Sequence, residues 1–433
     1  MLKYLKESVK FLLRSYPFIK SYVAEIEKMY AMNQDELNKY KESCFLKLFR
    51  LAYTKSPFYK NLYKSLGIKI EDIKSLDDIQ KLPVITKDQI RKKSKDLCTK
   101  PYWMLLPNAT SGTTGSPLAV FESWESIWRE QAYFYCYRKR CGFIQGEELV
   151  SLRGNLNHKQ PSLYIHLSHT LFLSSYNING ETVDFYYKSI MAKKPKAIEG
   201  YPSSLYNLAC ELENKNMHLD IPICFTSSET IYDYQRERIS RVLGCQIFDH
   251  FGTTERTIRL SEAIDHSGYF EDPGYSINEY LSDSVITTSL INYSFPLIRY
   301  QINDVMEVNT TIDNKPCPII VKSIDGRSVH YIQDKQGTKI GGTALTFIFK
   351  SVPHVRLAQF IQRESDKVLL NILPEDGFNK KDESEIFYLL NEKIGIENID
   401  IQLNLITPEE IIYTKRNKFS YVISDIKNDS PVN

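Results

Sequence analysis

Apolar positions recur at helical spacing through residues 1–95, and that stretch is predicted to be mainly helical. Leu5, Val9, Leu12 and Leu13 would share one face of a first helix among lysines. A basic amphipathic helix of this kind can lie on a membrane, and the plainer reading packs it on its own domain. The segment Leu76–Leu82 stops at Pro83, and Thr86 then caps a short helix over Lys87–Arg91. From about residue 103 to 325 the pattern changes to strands alternating with helices, the order of an α/β architecture. Its elements include a strand at Leu118–Phe121, an aromatic-rich helix over 123–140 and a turn at Asn177–Gly180. Pro202-Ser203-Ser204 opens a further helix, Gln235–Arg238 continues another, and Cys245–Phe248 forms a short strand. Residues 328–433 differ in texture, with a hairpin around Gly337, strands at 368–373 and 399–403, and a helix from Glu383 to Lys393. The expected organisation is a large α/β domain over 1–326 and a small α+β domain over 327–433, with no internal repeat.

A length of 433 residues exceeds one ordinary core, in line with that division. A net charge of +2 carries no general field for nucleic acid. The 29 Tyr and 21 Phe suit large buried surfaces and aromatic-lined pockets. Eight scattered cysteines without a Cys-x-x-Cys pair read as reduced thiols, so a cytoplasmic setting is expected. No stretch is long and apolar enough to span a bilayer, and the lysine-interrupted start is not a signal peptide. His166 and His169 form a His-x-x-His pair that lacks nearby Cys or acidic partners, an incidental spacing more often than a metal site. A homodimer is a further expectation for this chain.

The densest chemical signal is Thr110-Ser111-Gly112-Thr113-Thr114-Gly115-Ser116-Pro117. Its glycines permit a tight turn and close backbone approach, and its N–H and hydroxyl groups can cradle a polyanion. The apolar flanks Trp103–Pro107 and Leu118–Phe121 suggest a hairpin whose turn wraps a triphosphate, rather than a linker. No Gly-Lys-Ser/Thr follows, so it is not a Walker loop. A second motif, Asp249-His250-Phe251-Gly252-Thr253-Thr254-Glu255, reads as a strand-to-helix turn. There Thr254 could bond a phosphate oxygen and Glu255 a hard cation, although such a Glu also serves as a helix-dipole partner. A third, Ser227-Ser228-Glu229-Thr230, ends a strand in small residues that admit a flat ring; Ser228 also reads as a helix N-cap. Asp304, closing Pro296-Leu297-Ile298-Arg299-Tyr300-Gln301-Ile302-Asn303, can accept both hydroxyls of a ribose or sit in an ordinary turn. Arg327, in Ile324-Asp325-Gly326-Arg327, falls where the texture changes, and Lys418 lies in a basic run near the end of the chain.

Together and in this order these segments resemble the adenylate-forming superfamily of acyl-CoA synthetases and adenylation domains. The narrower likeness is to its phenylacetate–CoA ligase-like branch and the CapK-type proteins of capsular polysaccharide biosynthesis. That likeness rests on Glu199–Leu205, Thr226–Thr230, Phe251–Arg256 and Pro296–Tyr300, and it spans Ser56-Pro57-Phe58-Tyr59 to Lys418. The resemblance implies an AMP-forming ligase: a small carboxylic acid attacks the α-phosphate of ATP, and a thiol, with CoA one candidate, or an amine then displaces AMP. It further implies that Ser111 to Gly115 hold the β- and γ-phosphates, with Thr110 also in the nucleotide site, and that Phe251 stacks near adenine against the backbone of Ser227–Glu229. Asp249, His250, Gly252 and Thr253 would flank that nucleotide site. Thr254 would touch the α-phosphate, Glu255 the Mg2+, Asp304 the ribose with Arg327 close by, and Lys418 the reacting oxygens. The small domain would rotate between half-reactions. Tyr201 and Tyr164, with Phe172 and Tyr176, are candidates for an acyl pocket or plain core.

Several positions depart from the family's pattern. Phe251 stands where a Tyr is usual, Asn303 replaces a Gly, Val329-His330 replaces a hinge Asp, and Asn417 precedes Lys418 in place of Gly. Ser261–Glu271 contains His266 but no Cys, so no zinc is expected there. A non-catalytic nucleotide-binding protein is the rival class, and the presence of Thr113, Thr114, Glu255, Asp304 and Lys418 argues against it.

Overall fold

In the computed structural model the described residues are 2–109, 118–152, 156, 161–175, 178–309, 318–327, 331–333, 335, 339–341, 345, 349, 352, 354–364, 367–394, 399–413 and 419–426. The chain divides into two compact units: residues 1–231, 235–302 and 306–323 form the first, and residues 232–234, 303–305 and 324–433 the second.

The first unit opens with helices α1 (Leu2–Leu13), α2 (Tyr16–Tyr30), α3 (Gln34–Lys55), α4 (Pro57–Ser65), α5 (Lys87–Arg91) and α6 (Ser94–Leu97). Local chemistry sets their starts. Asn33 and Glu36 form a reciprocal capping box on α3, and Ser56 accepts from Tyr59 N at 3.4 Å ahead of Pro57 on α4. The chain then forms a hairpin of β1 (Leu106–Ala109) and β2 (Ala119–Glu122), followed by α7 (Trp124–Arg140).

The rest of this unit builds on a ten-stranded sheet. Its members are β3 (Leu149–Leu152), β4 (Ser162–Ile165), β5 (Thr170–Leu173), β6 (Ala197–Gly200), β7 (Ile223–Ser227), β8 (Gln246–Gly252), β9 (Arg259–Glu262) and β10 (Tyr269–Glu271). A separate antiparallel sheet joins β11 (Ser276–Tyr280), β12 (Val285–Ser289) and β13 (Tyr300–Ile302). With β14 (Asp304–Val308) and β15 (Ile319–Arg327), the large sheet runs β14-β15-β10-β9-β8-β7-β6-β3-β5-β4. Strands β5, β3, β6, β7 and β8 are parallel, as crossover helices such as α8 (Val183–Met191) and α9 (Pro202–Asn214) require. Most of their residues are buried, as both faces are covered. The aromatics of α7 account for one such cover: Tyr137 packs with Phe143, Phe225 and Phe248 over Ala197 and Ile223, and α2 closes over the other side of α7. Gly200 permits α9 to fold back tightly, since a Cβ there would lie 2.9 Å from Leu205 Cγ and 3.2 Å from Leu152 Cβ.

The second unit holds a four-stranded sheet of β18 (Val355–Glu364), β19 (Lys367–Pro374), β20 (Asp400–Leu405) and β21 (Val422–Ser424), in the order β20-β19-β18-β21, with helix α11 (Lys380–Ile394). Its core gathers Phe360, Leu370 and Ile372 with Ile386 and Leu390 of the helix. A two-stranded ribbon, β16 (Tyr331–Gln333) with β17 (Lys339–Gly341), forms the expected hairpin, whose Gly337 lies outside the described residues.

Two local expectations change. The first helix does not bury its aliphatic stripe: α1 lies against β4 and the 3-10 turn His166–Ser168, while Leu5, Val9 and Leu12 face outward. Ser228 is not a helix N-cap, because its φ of 72° is left-handed and the next helix, α10 (Asp233–Leu243), begins five residues later.

Candidate active site

The hydroxyl-rich run 110–117 connects the two strands of the β1–β2 hairpin, whose register pairs Leu106 with Glu122 and Ala109 with Ala119. The run itself, including Thr110, Ser111, Gly112, Thr113, Thr114 and Gly115, lies outside the described residues. Its base is firmly held. Phe121 O accepts from Asn292 Nδ2 at 3.0 Å, and Glu122 Oε1 is 2.5 Å from Arg256 Nε in a nearly buried ion pair. Burial pushes the Glu122 carboxyl above its ordinary value, with Arg256 pulling the other way.

Arg256 belongs to the turn after β8. That strand runs through Gly252, so Asp249–Gly252 are strand residues, and the chain reverses into antiparallel β9 instead of entering a helix. The β-branched Thr253, Thr254, Thr257 and Ile258 favour extended backbone there. Thr253 closes the turn: its carbonyl accepts from Arg256 N at 3.0 Å and its hydroxyl from Thr257 N at 3.2 Å. Arg256 takes a left-handed φ of 55°, its carbonyl accepts from Ser289 Oγ at 2.7 Å, and its guanidinium donates to Ser126 O at 2.9 Å. Thr254 is half-buried on this turn and Glu255 is buried.

Glu255 has two neighbours that motif reading did not supply. Tyr300 OH donates to its Oε1 at 3.1 Å, and Lys87 Nζ lies 3.5 Å from the same oxygen. Backbone pairing explains how a lysine so remote in sequence arrives. Ile85 N donates to Arg299 O and Gln301 N to Ile85 O, both at 2.9 Å, so residues 83–86 run beside β13. Gln89 Oε1 then caps Thr86 N at 2.9 Å, and Lys87 follows as the first residue of α5. Arg299 fastens the strap from the other end: it grips Glu279 through two bonds of 3.0 and 2.7 Å and donates to Leu82 O at 2.6 Å. Tyr59 steadies the same segment, since its hydroxyl accepts from Ile298 N at 2.9 Å.

The carboxyl ends of parallel strands form the usual ligand-binding edge of an open α/β sheet. Here Thr226 and Ser227 of β7 pair with Asp249 and His250 of β8. The exposed Ser228 follows, then Glu229, whose Oε2 accepts from Ser203 N at 3.0 Å at the start of α9. Tyr201, the residue before α9, thus joins Ser227–Glu229 and Phe251–Gly252 along one edge, and Phe251 is half-buried there. Asp249 instead turns inward. Its carboxylate accepts from Thr226 Oγ1 at 2.7 Å and Tyr269 OH at 2.8 Å, and burial raises it to about 6. His250 is also buried, edge-on to Phe134 with ring centroids 5.2 Å apart.

Other expected residues fall elsewhere. Tyr164 lies on β4, the sheet's outermost strand, four strand spacings or roughly 19 Å from β7. Its hydroxyl donates to Glu148 at 2.6 Å, and Lys193 sits 3.3 Å over its ring, so it is not brought to the β6–β8 edge. His169 of the His-x-x-His pair bonds the same Glu148 at 3.1 Å. In the second unit, Asp304 is half-buried at the start of β14, and Arg327 closes β15. Lys418 lies outside the described residues, but its loop is bracketed by an isolated antiparallel bridge between Tyr413 and Phe419. The fully buried Gln359 holds both flanks, donating to Ile412 O and Ser420 O at 2.9 Å each.

For a divalent cation the donor set is sparse. No group of three His, Cys, Asp or Glu gathers among the described residues. Glu255 supplies one carboxylate, one oxygen of which already serves Tyr300 and Lys87. This suits an Mg2+ that brings most of its ligands as phosphate oxygens and water, and it does not suit a dedicated protein cage.

Comparison with known proteins follows the same lines. Residues 332–425 match the CapK C-terminal domain family. The chain is 24% identical over 381 residues to Protein CapK of Staphylococcus aureus, with 84% of each chain covered. It is 23% identical over 307 residues to phenylacetate-coenzyme A ligase of Pseudomonas putida, covering 63% of this chain and 66% of that one. In fold it is similar to 2-hydroxyisobutyryl-CoA ligase in the postadenylation state in complex with R3-HIB-AMP, with a TM-score of 0.72, 16% identity and coverage of 91% and 90%. It is also similar to the anthranilate CoA ligase AuaEII in complex with anthranoyl-AMP, with a TM-score of 0.52, 14% identity and coverage of 74% and 67%.

Proposed function

We propose that this chain, a CapK homologue with the fold of the adenylate-forming ligases, activates a carboxylic acid with ATP. A carboxylate oxygen attacks the α-phosphorus, the bond to the bridging oxygen breaks, and pyrophosphate leaves. The thiol of CoA or an amine then attacks the acyl carbon, and AMP departs with the electron pair. The observation that carries this reading is the Glu122–Arg256 ion pair of 2.5 Å. It fastens the hairpin bearing the hydroxyl-and-glycine run to the turn bearing Thr254 and Glu255.

In this reading Ser111 to Gly115 hold the β- and γ-phosphates, Thr254 meets the α-phosphate, and Phe251 with the Ser227–Glu229 backbone receives adenine. Asp304 takes the ribose hydroxyls with Arg327 nearby, and Lys418, in a small domain over 327–433, offsets charge on the reacting oxygens. Glu255 would hold Mg2+, which supplies charge neutralisation on the phosphates. Lys87 adds a fixed positive charge beside that carboxylate. Positioning and electrostatics of this kind suffice for phosphoryl chemistry. Scattered thiols with no disulfide among the described residues accord with a cytoplasmic setting.

The deciding experiment is pyrophosphate exchange into ATP across a library of carboxylic acids. Acid-dependent exchange is expected; none with any acid sinks the reading. Products formed on adding CoA or amines then identify the acceptor.

A further inference from the structure

The first helix presents to solvent the stripe that a domain helix ordinarily buries. Leu5, Val9 and Leu12 are 60%, 45% and 48% exposed, and they share one face of α1 at spacings of four and three residues. The half-buried Phe11 occupies the opposite side. The apolar surface continues past the helix: Tyr16 and Phe18 are also exposed, and Phe18 stacks on Trp128 with centroids 6.0 Å apart. An exposed aliphatic stripe of this length on a soluble surface marks an interaction site.

Charge identifies the partner. Residues 1–20 contain five basic side chains, Lys3, Lys6, Lys10, Arg14 and Lys20, against the single acid Glu7; leaving out the inward-turned Arg14, the net charge of this segment is +3. Glu7 is paired with Lys10 at 2.8 Å. Arg14 turns inward towards Arg256 and Glu122, where burial lowers its pKa, and it is not part of the surface. Lys6 and Lys20 are exposed and Lys10 is half-buried. Aliphatic residues on one face, Lys6 at its flank with Lys10 further round on the polar side, and aromatics at the end are the components of a helix that lies in a lipid headgroup layer. A second copy of the chain fits less well, because isologous pairing would set the like-charged flanks against each other.

We propose that α1 docks the protein on an anionic lipid surface, with Leu5, Val9 and Leu12 entering the headgroup boundary and Lys6 and Lys10 meeting lipid phosphates. The helix lies in the interface plane and does not span the bilayer.

The test is co-sedimentation of the full chain with vesicles of phosphatidylcholine alone or with about one third phosphatidylglycerol. Partitioning is expected to be about tenfold stronger on the anionic vesicles and to weaken at high salt. Leu5→Ser with Leu12→Ser, and separately Lys6→Gln with Lys10→Gln, should each reduce it about tenfold. Circular dichroism and thermal melting of the variants should match the wild type. Equal binding to both vesicles, no binding to either, or variants that bind like the wild type would each overturn the proposal. Sedimentation without lipid adds a fourth outcome: a dimer dispersed by the leucine double variant would assign the stripe to a second copy and overturn it as well.

Discussion

Lys87 Nζ lies 3.5 Å from Glu255 Oε1, the oxygen that also accepts from Tyr300 OH at 3.1 Å. The two residues stand 168 positions apart in the chain, and the strap beside β13 brings them together. The lysine is partly exposed and the glutamate nearly buried, which leaves the cation open to a ligand on one side. Lys87→Met is therefore expected to raise the KM for ATP in pyrophosphate exchange and to lower kcat/KM about 100-fold, the scale of a lost preorganised charge. Lys87→Arg should recover part of the loss. Unchanged exchange with a lowered melting temperature would make the pair purely structural.

The Glu122–Arg256 pair is almost fully buried, and removing Arg256 leaves the Glu122 carboxylate with only Arg14 and Asn108 to offset its burial. Arg256→Met is expected to destabilise the large unit by about 3–5 kcal/mol, read from urea unfolding. Adding Glu122→Leu should restore much of that stability, because the uncompensated carboxylate disappears. Exchange activity should stay low in the double variant, since the hairpin is no longer fastened to the Glu255 turn.

Asp249 gives the protein a pH signature. Its carboxyl is raised from 3.8 to about 6, chiefly by burial. Between those values the native state keeps a proton that the unfolded chain releases, so this contribution to stability is present at low pH and is lost as pH rises through about 6. The wild type should lose about 3 kcal/mol more than Asp249→Asn between about pH 4 and pH 6, and the difference should be flat above that. Tryptophan fluorescence during urea unfolding measures it, because Trp103, Trp124 and Trp128 all lie in the first unit. Parallel curves for the two proteins would refute it.

Gln359 grips Ile412 and Ser420 on either side of the segment that contains Lys418. Gln359→Leu removes its bonds to these part-buried backbone groups, at a cost of about 1–3 kcal/mol. Trypsin should then cut faster at Lys415, Arg416 or Lys418, and pyrophosphate exchange should fall. The same cleavage rate in both proteins would show that the clamp does not govern this loop.

Lys418→Ala should nearly abolish acyl-adenylate formation while ATP binding, followed by calorimetry, stays close to wild type. Equal exchange activity would remove Lys418 from the chemistry.

Much of the architecture was legible because its signals are local. The cap at Thr86, the aromatic helix 124–140, the strand pair flanking the hydroxyl run and the α+β texture after residue 328 all depend on neighbours within one or two turns or one hairpin. The turn after Gly252 was read as the start of a helix because a glycine between an aromatic and threonines suits either outcome. Pairing of Gly252 with Arg259 across the sheet decided for a strand. The hydrophobic period of α1 was equally visible, but periodicity states only that a helix has an apolar face, not whether protein covers it. Composition and periodicity thus determined which segments fold as helices or strands and where the hydroxyl- and glycine-rich runs fall between them. Tertiary structure alone decided that Lys87 meets Glu255, that Arg256 meets Glu122 and that Asp249 is sealed inside, because such meetings depend on strand order and register, which no local run of side chains encodes.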